Sequence, residues 1–429
     1  MNKNTIRVLM VIEQCNPEWA SVPLVGFNFY QQISDLTEVT LVTHERNREA
    51  LEKIPGDHDI VYISESRFLQ LYYRFASLLA NRGAINWPLY HFLTYPIYSS
   101  FNRKVFEQFH RKVINHTFDI VHALTPMLPR YPVRLIKACN STPFLLGPVN
   151  GGVPFPKGFE VTARKENSHL NFIRTLGRFL IPGYRETYVK ADRVLVGSTY
   201  TLNMLKSLFK LEDRRASLFF ENGIPASFFK PVSHAKIKNV TNLLFVGRLV
   251  PYKGVDMLID ALWQSESQLK EKVTLTIVGD GPERFNLEQQ VSKSGLSDKV
   301  IFTGWVDQKE TFDYYSQADI FCFPSIREFG GAVVLEAMSC GVPCIVVNNG
   351  GIGEYVTEET GFKIEPLSRK HIVQELIYCI KLLTEETSLR LTMSASAIDR
   401  AIEFEWGKKA QAILQIYRVL ISEKKANSP

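Results

Sequence analysis

Cysteine is scarce in this chain of 429 residues: six (Cys15, Cys139, Cys322, Cys340, Cys344, Cys379) are scattered in mostly apolar surroundings. No C-x-x-C pair occurs, and Cys340 and Cys344 have no companion ligand nearby. That excludes a disulfide framework and a structural zinc site, and the thiols read as reduced and buried. Also missing is any uninterrupted apolar run of the ~18 residues that a spanning helix needs. The start, "MNKNTIRVLMVIEQC", holds a brief apolar run cut by Glu13 and no cleavage pattern. It reads as a first buried strand, not a signal peptide. The expectation is a cytoplasmic protein, with membrane contact limited to the periphery.

Acid is the third scarcity. No Asp or Glu lies between Arg67 and Phe106, a stretch that carries Arg67, Arg74, Arg82, Arg103 and Lys104. Interleaved are Phe68, Tyr72, Tyr73, Phe75, Trp87, Tyr90, Phe92, Tyr95, Tyr98 and Phe101. Arg174, Arg178 and Arg185, with Phe172, Leu176, Phe179 and Leu180, form a second such stretch. Basic residues among aromatics suit an anionic bilayer surface, at the inner face of a cytoplasmic membrane; the same aromatics equally suit a core. Net charge is only +6, and acids elsewhere break any continuous basic stripe, which excludes nucleic acid as a partner.

What is present is a long alternation of short apolar runs with amphipathic segments. The runs are "IRVLMVI", "EVTLVTH", "DIVYIS", "DIVHAL", "PFLLGP" and "RVLVGS", then "NLLFVGR", "VTLTIVGD", "VIFTGWV", "IFCFPS", "PCIVVN" and "GFKIEP". Continuous apolar strands of this kind belong to parallel sheets covered on both faces. The length exceeds one ordinary core, and two successive series predict two doubly wound, Rossmann-like α/β domains. The break "ENGIPASFFKPVSHAKIKNVTN" separates them. The predicted division is 1–225, 226–403 and a terminal helix over 404–429.

Three stretches of the second half carry chemistry. In "FVGRLVPYKGVDMLIDAL", Arg248 and Lys253 follow a strand end, where loops of parallel sheets open onto ligands. A guanidinium fork and a point charge suit a diphosphate, although a solvated basic loop has the same letters. "IVGDGPE" is a second strand followed by a glycine-rich turn. In "PSIREFGGAVVLEAMSCGVPC", Gly330–Gly331 opens a helix whose N-terminus is a ready anion site. Glu328 precedes that helix and Glu336 lies within it among apolar residues, where a carboxylate needs partners. The two hydroxyls of a ribose would satisfy Glu336, and Glu328 would then face the sugar. The alternative is that Glu328 caps the helix and Glu336 pairs with a basic side chain.

The order strand–G-R-x4-K-G, V-G-D-G-P, then E-x7-E after "PS" resembles the family 4 retaining glycosyltransferases, glycosyl transferases group 1, of GT-B fold. "ADRVLVGS", "ENGIPASFFKP", "YYSQADIFCFPS" and "FEWGKKAQAIL" stand at further stations of that family, so the resemblance covers nearly the whole chain. It implies two Rossmann-like domains facing a cleft, with the terminal helix returning to the first. Arg248 and Lys253 would hold the donor diphosphate, Glu336 the ribose and Glu328 the transferred sugar. Amides of Phe329, Gly330 and Gly331 would cradle that sugar, and backbone at Gly304 and Trp305 would meet the base. Here E-F-G-G replaces the family's frequent E-x-F-G, which leaves open which amides touch it. In the first half, Gly26 is the one glycine of the loop that could admit a phosphate. His122, expected at a strand end, corresponds to a histidine at the reaction centre. "GPVNGGVPFP" reads as a loop near the acceptor. No cofactor and no metal are expected: the one D-x-D triplet, Asp57-His58-Asp59, precedes a strand and reads as a polar turn. The implied function is transfer from a nucleotide sugar to a glycan or lipid-linked acceptor, in cell-surface polysaccharide or glycolipid assembly. The rivals are a GT-B nucleotide-sugar epimerase or hydrolase, and a non-catalytic sugar-nucleotide binding protein.

Overall fold

A computed structural model of the protein describes residues 5–80, 87–129, 131–166, 181–229 and 240–426. Arg82, Arg174 and Arg178 of the basic stretches, with Phe172, Leu176, Phe179 and Leu180, lie outside the described residues, as does 230–239 of the connection. The chain divides into two compact units: Met1–Gly152, Asn167–Glu221 and Trp406–Pro429, and Val153–Glu166 with Asn222–Glu405.

In the first unit the apolar runs become β1 (Arg7–Ile12), β2 (Glu38–His44), β3 (Asp59–Ile63), β4 (Ile120–Thr125), β5 (Phe144–Val149), β6 (Arg193–Val196) and β7 (Ala216–Leu218). They pair in parallel in the order β3-β2-β1-β4-β5-β6-β7. Both faces are covered, which is why these strands are apolar throughout rather than alternating. Helices α1 (Val22–Ser34), α2 (Arg48–Leu51), α3 (Arg67–Ala80) and α4 (Trp87–Ile114) follow the strands. On one face, Phe101, Val105, Phe109 and Val113 of α4 join Leu9 and Val121 in a buried cluster. On the other, Phe29, Tyr30 and Ile33 of α1 meet Trp406, Ala410, Ile413, Tyr417 and Leu420 of the terminal helix Trp406–Ala426. That spacing puts the five on one helical stripe. Trp406 meets Phe29 edge to face, with ring centroids 5.1 Å apart.

The second unit holds β8 (Thr241–Val246), β9 (Val273–Val278), β10 (Val300–Gly304), β11 (Ile320–Phe323), β12 (Cys344–Val347) and β13 (Gly361–Ile364). They form a parallel sheet ordered β10-β9-β8-β11-β12-β13. The strand order reverses between β8 and β11, the place where open α/β sheets bind ligands. The unit starts at Asn222 and ends at Glu405 because these two passages pair: Ile224 N donates to Phe404 O at 2.9 Å. Val153–Glu166, which contains α5 (Glu160–Lys165), also packs in this unit, although the sequence reading places it in the first. Among the described residues no helix is long and apolar enough to cross a membrane. All six cysteines are buried, and none forms a disulfide.

Candidate active site

The loops after β8, β9 and β11 meet through close backbone contacts. A Cβ on Gly254, whose φ is +72°, would lie 2.3 Å from Pro324 O, so the turn Pro251–Lys253 sits directly on the end of β11. Ile326 N donates to Tyr252 O at 2.9 Å, and Leu249 N donates to Asp280 O at 2.9 Å. These contacts gather the three stretches that the sequence marks.

Their centre is an ion pair between Lys253 Nζ and Glu328 Oε2, with the two side chains only 12% and 15% exposed. The ammonium also lies over the Phe323 ring, 4.7 Å from its centroid. Burial works against the charge on Lys253, but the adjacent Glu328 carboxylate outweighs it and holds the lysine above its ordinary range. The lysine is therefore charged near neutrality. Glu328 is fixed by its backbone as well: its N–H donates to Asn349 O at 3.2 Å, and its carbonyl accepts from Gly351 N at 3.2 Å. Asn349 ties the same loop by donating to Ile326 O at 2.7 Å. Glu328 makes no side-chain cap on the helix Ala332–Ser339, which starts after Gly331 in left-handed conformation.

Glu336, inside that helix, is buried and accepts a hydrogen bond from the Tyr315 hydroxyl at 2.9 Å. The sequence reading leaves both its oxygens to a ribose; Tyr315 takes part of that capacity. Arg248 is exposed and forms no ion pair among the described residues. Gly304 ends β10 in left-handed conformation, with φ +79°, and its carbonyl accepts from Gly279 N at 2.9 Å. Beside it Trp305 is 72% exposed. Arg248, Lys253, Gly304, Trp305, Glu328, Phe329, Gly330, Gly331 and Glu336 thus all stand on the second unit's strand-end loops or the helix they lead into.

Residues 228–398 match the family described as Glycosyl transferases group 1. The second unit is a glycosyl transferases group 1 domain. The D-inositol 3-phosphate glycosyltransferase of Kribbella flavida is 25% identical over 252 residues, 55% of this chain and 58% of that protein. The chain thus matches little more than half the length of that curated relative. A Rickettsia africae glycosyltransferase of known structure superposes with a TM-score of 0.63 at 18% identity, covering 99% of this chain and 100% of its own. Anabaena HepE in complex with UDP gives 0.63 at 19%, covering 96% and 100%. The fold is GT-B.

Two residues expected at the site are elsewhere. His122 lies in the middle of β4, fully buried, rather than at a strand end. Its Nε2–H donates to Gly147 O at 2.6 Å and its Nδ1 accepts from the Tyr417 hydroxyl at 2.7 Å. Burial lowers its pKa to about 4, so it is a neutral core residue that pins the terminal helix to the sheet. Gly26 lies in α1, where a Cβ would meet Gln14 O at 2.6 Å and Ile12 Cγ2 at 2.9 Å. Its glycine admits the helix to β1, and protein already fills the space a phosphate would take. Asn150 of the "GPVNGG" loop is buried as well, donating to both Glu221 carboxylate oxygens at 2.8 and 3.0 Å. Of the triplet Asp57-His58-Asp59, the first two residues precede β3 and Asp59 is its first residue, accepting from Thr40 Oγ1 at 2.5 Å.

Other residues around the glycosyl transferases group 1 site escaped the sequence reading. Arg327 Nε donates to Val153 O at 2.8 Å, and its guanidinium lies 4.9 and 5.1 Å from the Phe155 and Phe329 ring centroids. Asn349 reaches Pro154 O at 3.1 Å, so Val153–Phe155 is bound to the E-F-G-G loop. Glu166 at the end of α5 has its carboxyl pKa raised by burial, with Arg327 and Arg248 opposing. In the first unit, a cavity at the carboxyl ends of β1 and β4 is lined by Glu13, Arg46, Tyr73, Tyr90, Tyr98 and Tyr131. There Arg46 Nη2 lies 3.2 Å from Glu13 Oε1.

Proposed function

We propose that the protein is a retaining glycosyltransferase that moves a sugar from a nucleotide-sugar donor to a glycan or lipid-linked acceptor. The observation that carries this reading is the Lys253–Glu328 pair beside the glycine-led helix start, with the exposed Arg248 guanidinium on the same strand-end loop as Lys253. Arg248, Lys253 and the helix N-terminus supply the positive potential that a departing diphosphate needs, which calls on no metal ion. Glu336 takes a ribose hydroxyl, Gly304 and Trp305 flank the base, and the Phe329–Gly331 amides and Glu328 hold the sugar. Glu328, held in place by Lys253 and by its own backbone bonds to Asn349 and Gly351, orients the donor in this reading rather than acting as a covalent nucleophile. Retention then follows from departure and attack on one face, with the leaving phosphate accepting the acceptor's proton. The first unit's tyrosine-lined cavity receives the acceptor. The setting is the inner face of the cytoplasmic membrane, in surface polysaccharide or glycolipid assembly.

The test is a thermal-shift screen against UDP-, GDP- and ADP-sugars, UDP first in view of the HepE complex, followed by product analysis with the sugar that binds. A glycosylated product with the donor's anomeric configuration is expected, and R248A should bind the donor at least tenfold more weakly while melting as the wild type does. Nucleotide release without a glycosylated product, or an epimerised donor, would replace this reading with the hydrolase or epimerase. Tight binding without any turnover would leave a binding protein.

A further inference from the structure

Among the described residues of the first unit, helix α3 stands out for a row of apolar side chains that point away from the protein. Phe68, Leu71, Phe75 and Leu78 are 75%, 68%, 59% and 74% exposed. At 3.6 residues per turn these four fall within an arc of about 80°. The rest of the helix surface is held in place: Tyr72 donates to Leu93 O at 2.9 Å, the Tyr73 and Tyr90 hydroxyls lie 3.2 Å apart, and Ala76 is fully buried. Arg46 lies over the Tyr73 ring, 4.7 Å from its centroid. The rotation of the helix is therefore set, and the apolar stripe cannot turn inward.

Folding of the unit does not use that stripe. Neither of the two described core clusters contains a residue of α3, and the connection from β3 to β4 already has its covering helix in α4. The sequence alone left the aromatics of 67–106 open between core and membrane; the structure divides them. Tyr98 and Phe101 of α4 are core, whereas Phe68 and Phe75 of α3 are outside.

Charge decides what covers the stripe. Arg67 and Arg74 are exposed on the same side, about 20–40° beyond Leu78 around the helix. No acidic residue occurs from 67 to 106 to offset them. A second copy docked symmetrically would set these arginines against their own counterparts, a like-charge contact. An apolar strip bordered by cations instead matches the acyl–headgroup boundary of an anionic bilayer.

We infer that α3 is a bilayer-docking helix that lies in the interface of an anionic membrane, with Phe68, Leu71, Phe75 and Leu78 inserted and Arg67 and Arg74 on the headgroups. Its inner face carries Tyr73, which lines the first unit's cavity, so docking brings that cavity to the membrane surface. This extends the proposed function, in which the acceptor is lipid-linked. It is measured by binding alone, so its failure leaves the transfer reaction standing.

The experiment is co-sedimentation of the full chain with phosphatidylcholine vesicles, with and without 30% phosphatidylglycerol. Circular dichroism and melting temperature serve as fold controls. Binding is expected to the anionic vesicles, to weaken with salt, and to disappear in F68S/L71S/F75S/L78S while that variant melts at or above the wild-type temperature. R67Q/R74Q should partition about thirtyfold more weakly, each arginine contributing about fivefold near an anionic surface. Wild-type protein that ignores anionic vesicles, or a folded quadruple variant that still binds them, overturns the proposal. So does a wild-type dimer that the quadruple substitution converts to monomer without any vesicle binding, which would assign the stripe to a second copy.

Discussion

Replacing Glu328 by glutamine keeps the side chain's shape and strips the partner from a lysine that burial disfavours. In the wild type Lys253 has a raised pKa, so the pair's stabilisation is complete below about 10.4, the ordinary lysine value, and is lost as pH rises through the folded-state value. In E328Q the burial contribution prevails and the sign reverses: the unfolded chain binds the proton more readily, and stability rises with pH up to about 10.4. The cost has a ceiling, because the lysine can escape by losing its proton, which at pH 7.5 costs about 4 kcal/mol. Its floor is the lost charged hydrogen bond, about 1.5 kcal/mol. With both side chains about seven-eighths buried, solvent screening trims little from that range. For a second unit of about 200 residues this corresponds to a melting temperature lower by roughly 3–16 °C. Differential scanning calorimetry at pH 7.5 and 9.5 reads it. The deficit should shrink at pH 9.5, where neutralising the lysine costs only about 1 kcal/mol. K253M/E328Q, with neither charge, should melt above E328Q. An E328Q protein within about 2 °C of wild type at pH 7.5, or a deficit that grows at pH 9.5, refutes the reasoning.

Two substitutions test the residues that the structure removes from the site. G26A should cost about 1–3 kcal/mol from overpacking against Gln14 and Ile12, with the nucleotide-induced thermal shift unchanged; weaker nucleotide binding at unchanged stability would restore a phosphate role. His122 has a folded pKa near 4 against about 6.5 unfolded, so the unfolded chain takes up more protons between those values and stability falls as pH drops through that window. Urea midpoints should show a loss of about 2 kcal/mol between pH 8 and pH 5 from this group, absent in H122Q. A transfer rate that tracks a pKa near 6 and vanishes in folded H122Q would return the histidine to catalysis.

The sheets and the second unit's loops were legible because parallel strands buried on both faces must be apolar, and the loops leaving their carboxyl ends must open on the ligand side. β8 with Arg248 and β11 with Glu328 follow from that rule without further information. Partners far apart in the chain left no mark: nothing in the letters links His122 to Tyr417, or Arg327 to Val153. The capture of Val153–Glu166 by the second unit was equally hidden, since Arg327 and Asn349 hold it by backbone carbonyls, which any residue offers.

The contrast between the glutamates and the histidine has one cause. A carboxylate inside an apolar run must find a donor or cation, because burying it bare costs many kcal/mol, so Glu328 and Glu336 announce partners from the sequence alone. A buried histidine escapes the same penalty by giving up its proton, as His122 does. It then satisfies both ring nitrogens with one carbonyl and one hydroxyl, and its presence in a strand carries no charge that demands an explanation. Resemblance placed it at the reaction centre; only its surroundings could show that it is a neutral cross-link of the core. The exposed stripe of α3 is the complementary case. Its four apolar residues were visible as hydrophobic content, but the direction they face depends on where Tyr72 and Tyr73 are anchored, and that anchoring is supplied by the next helix, α4.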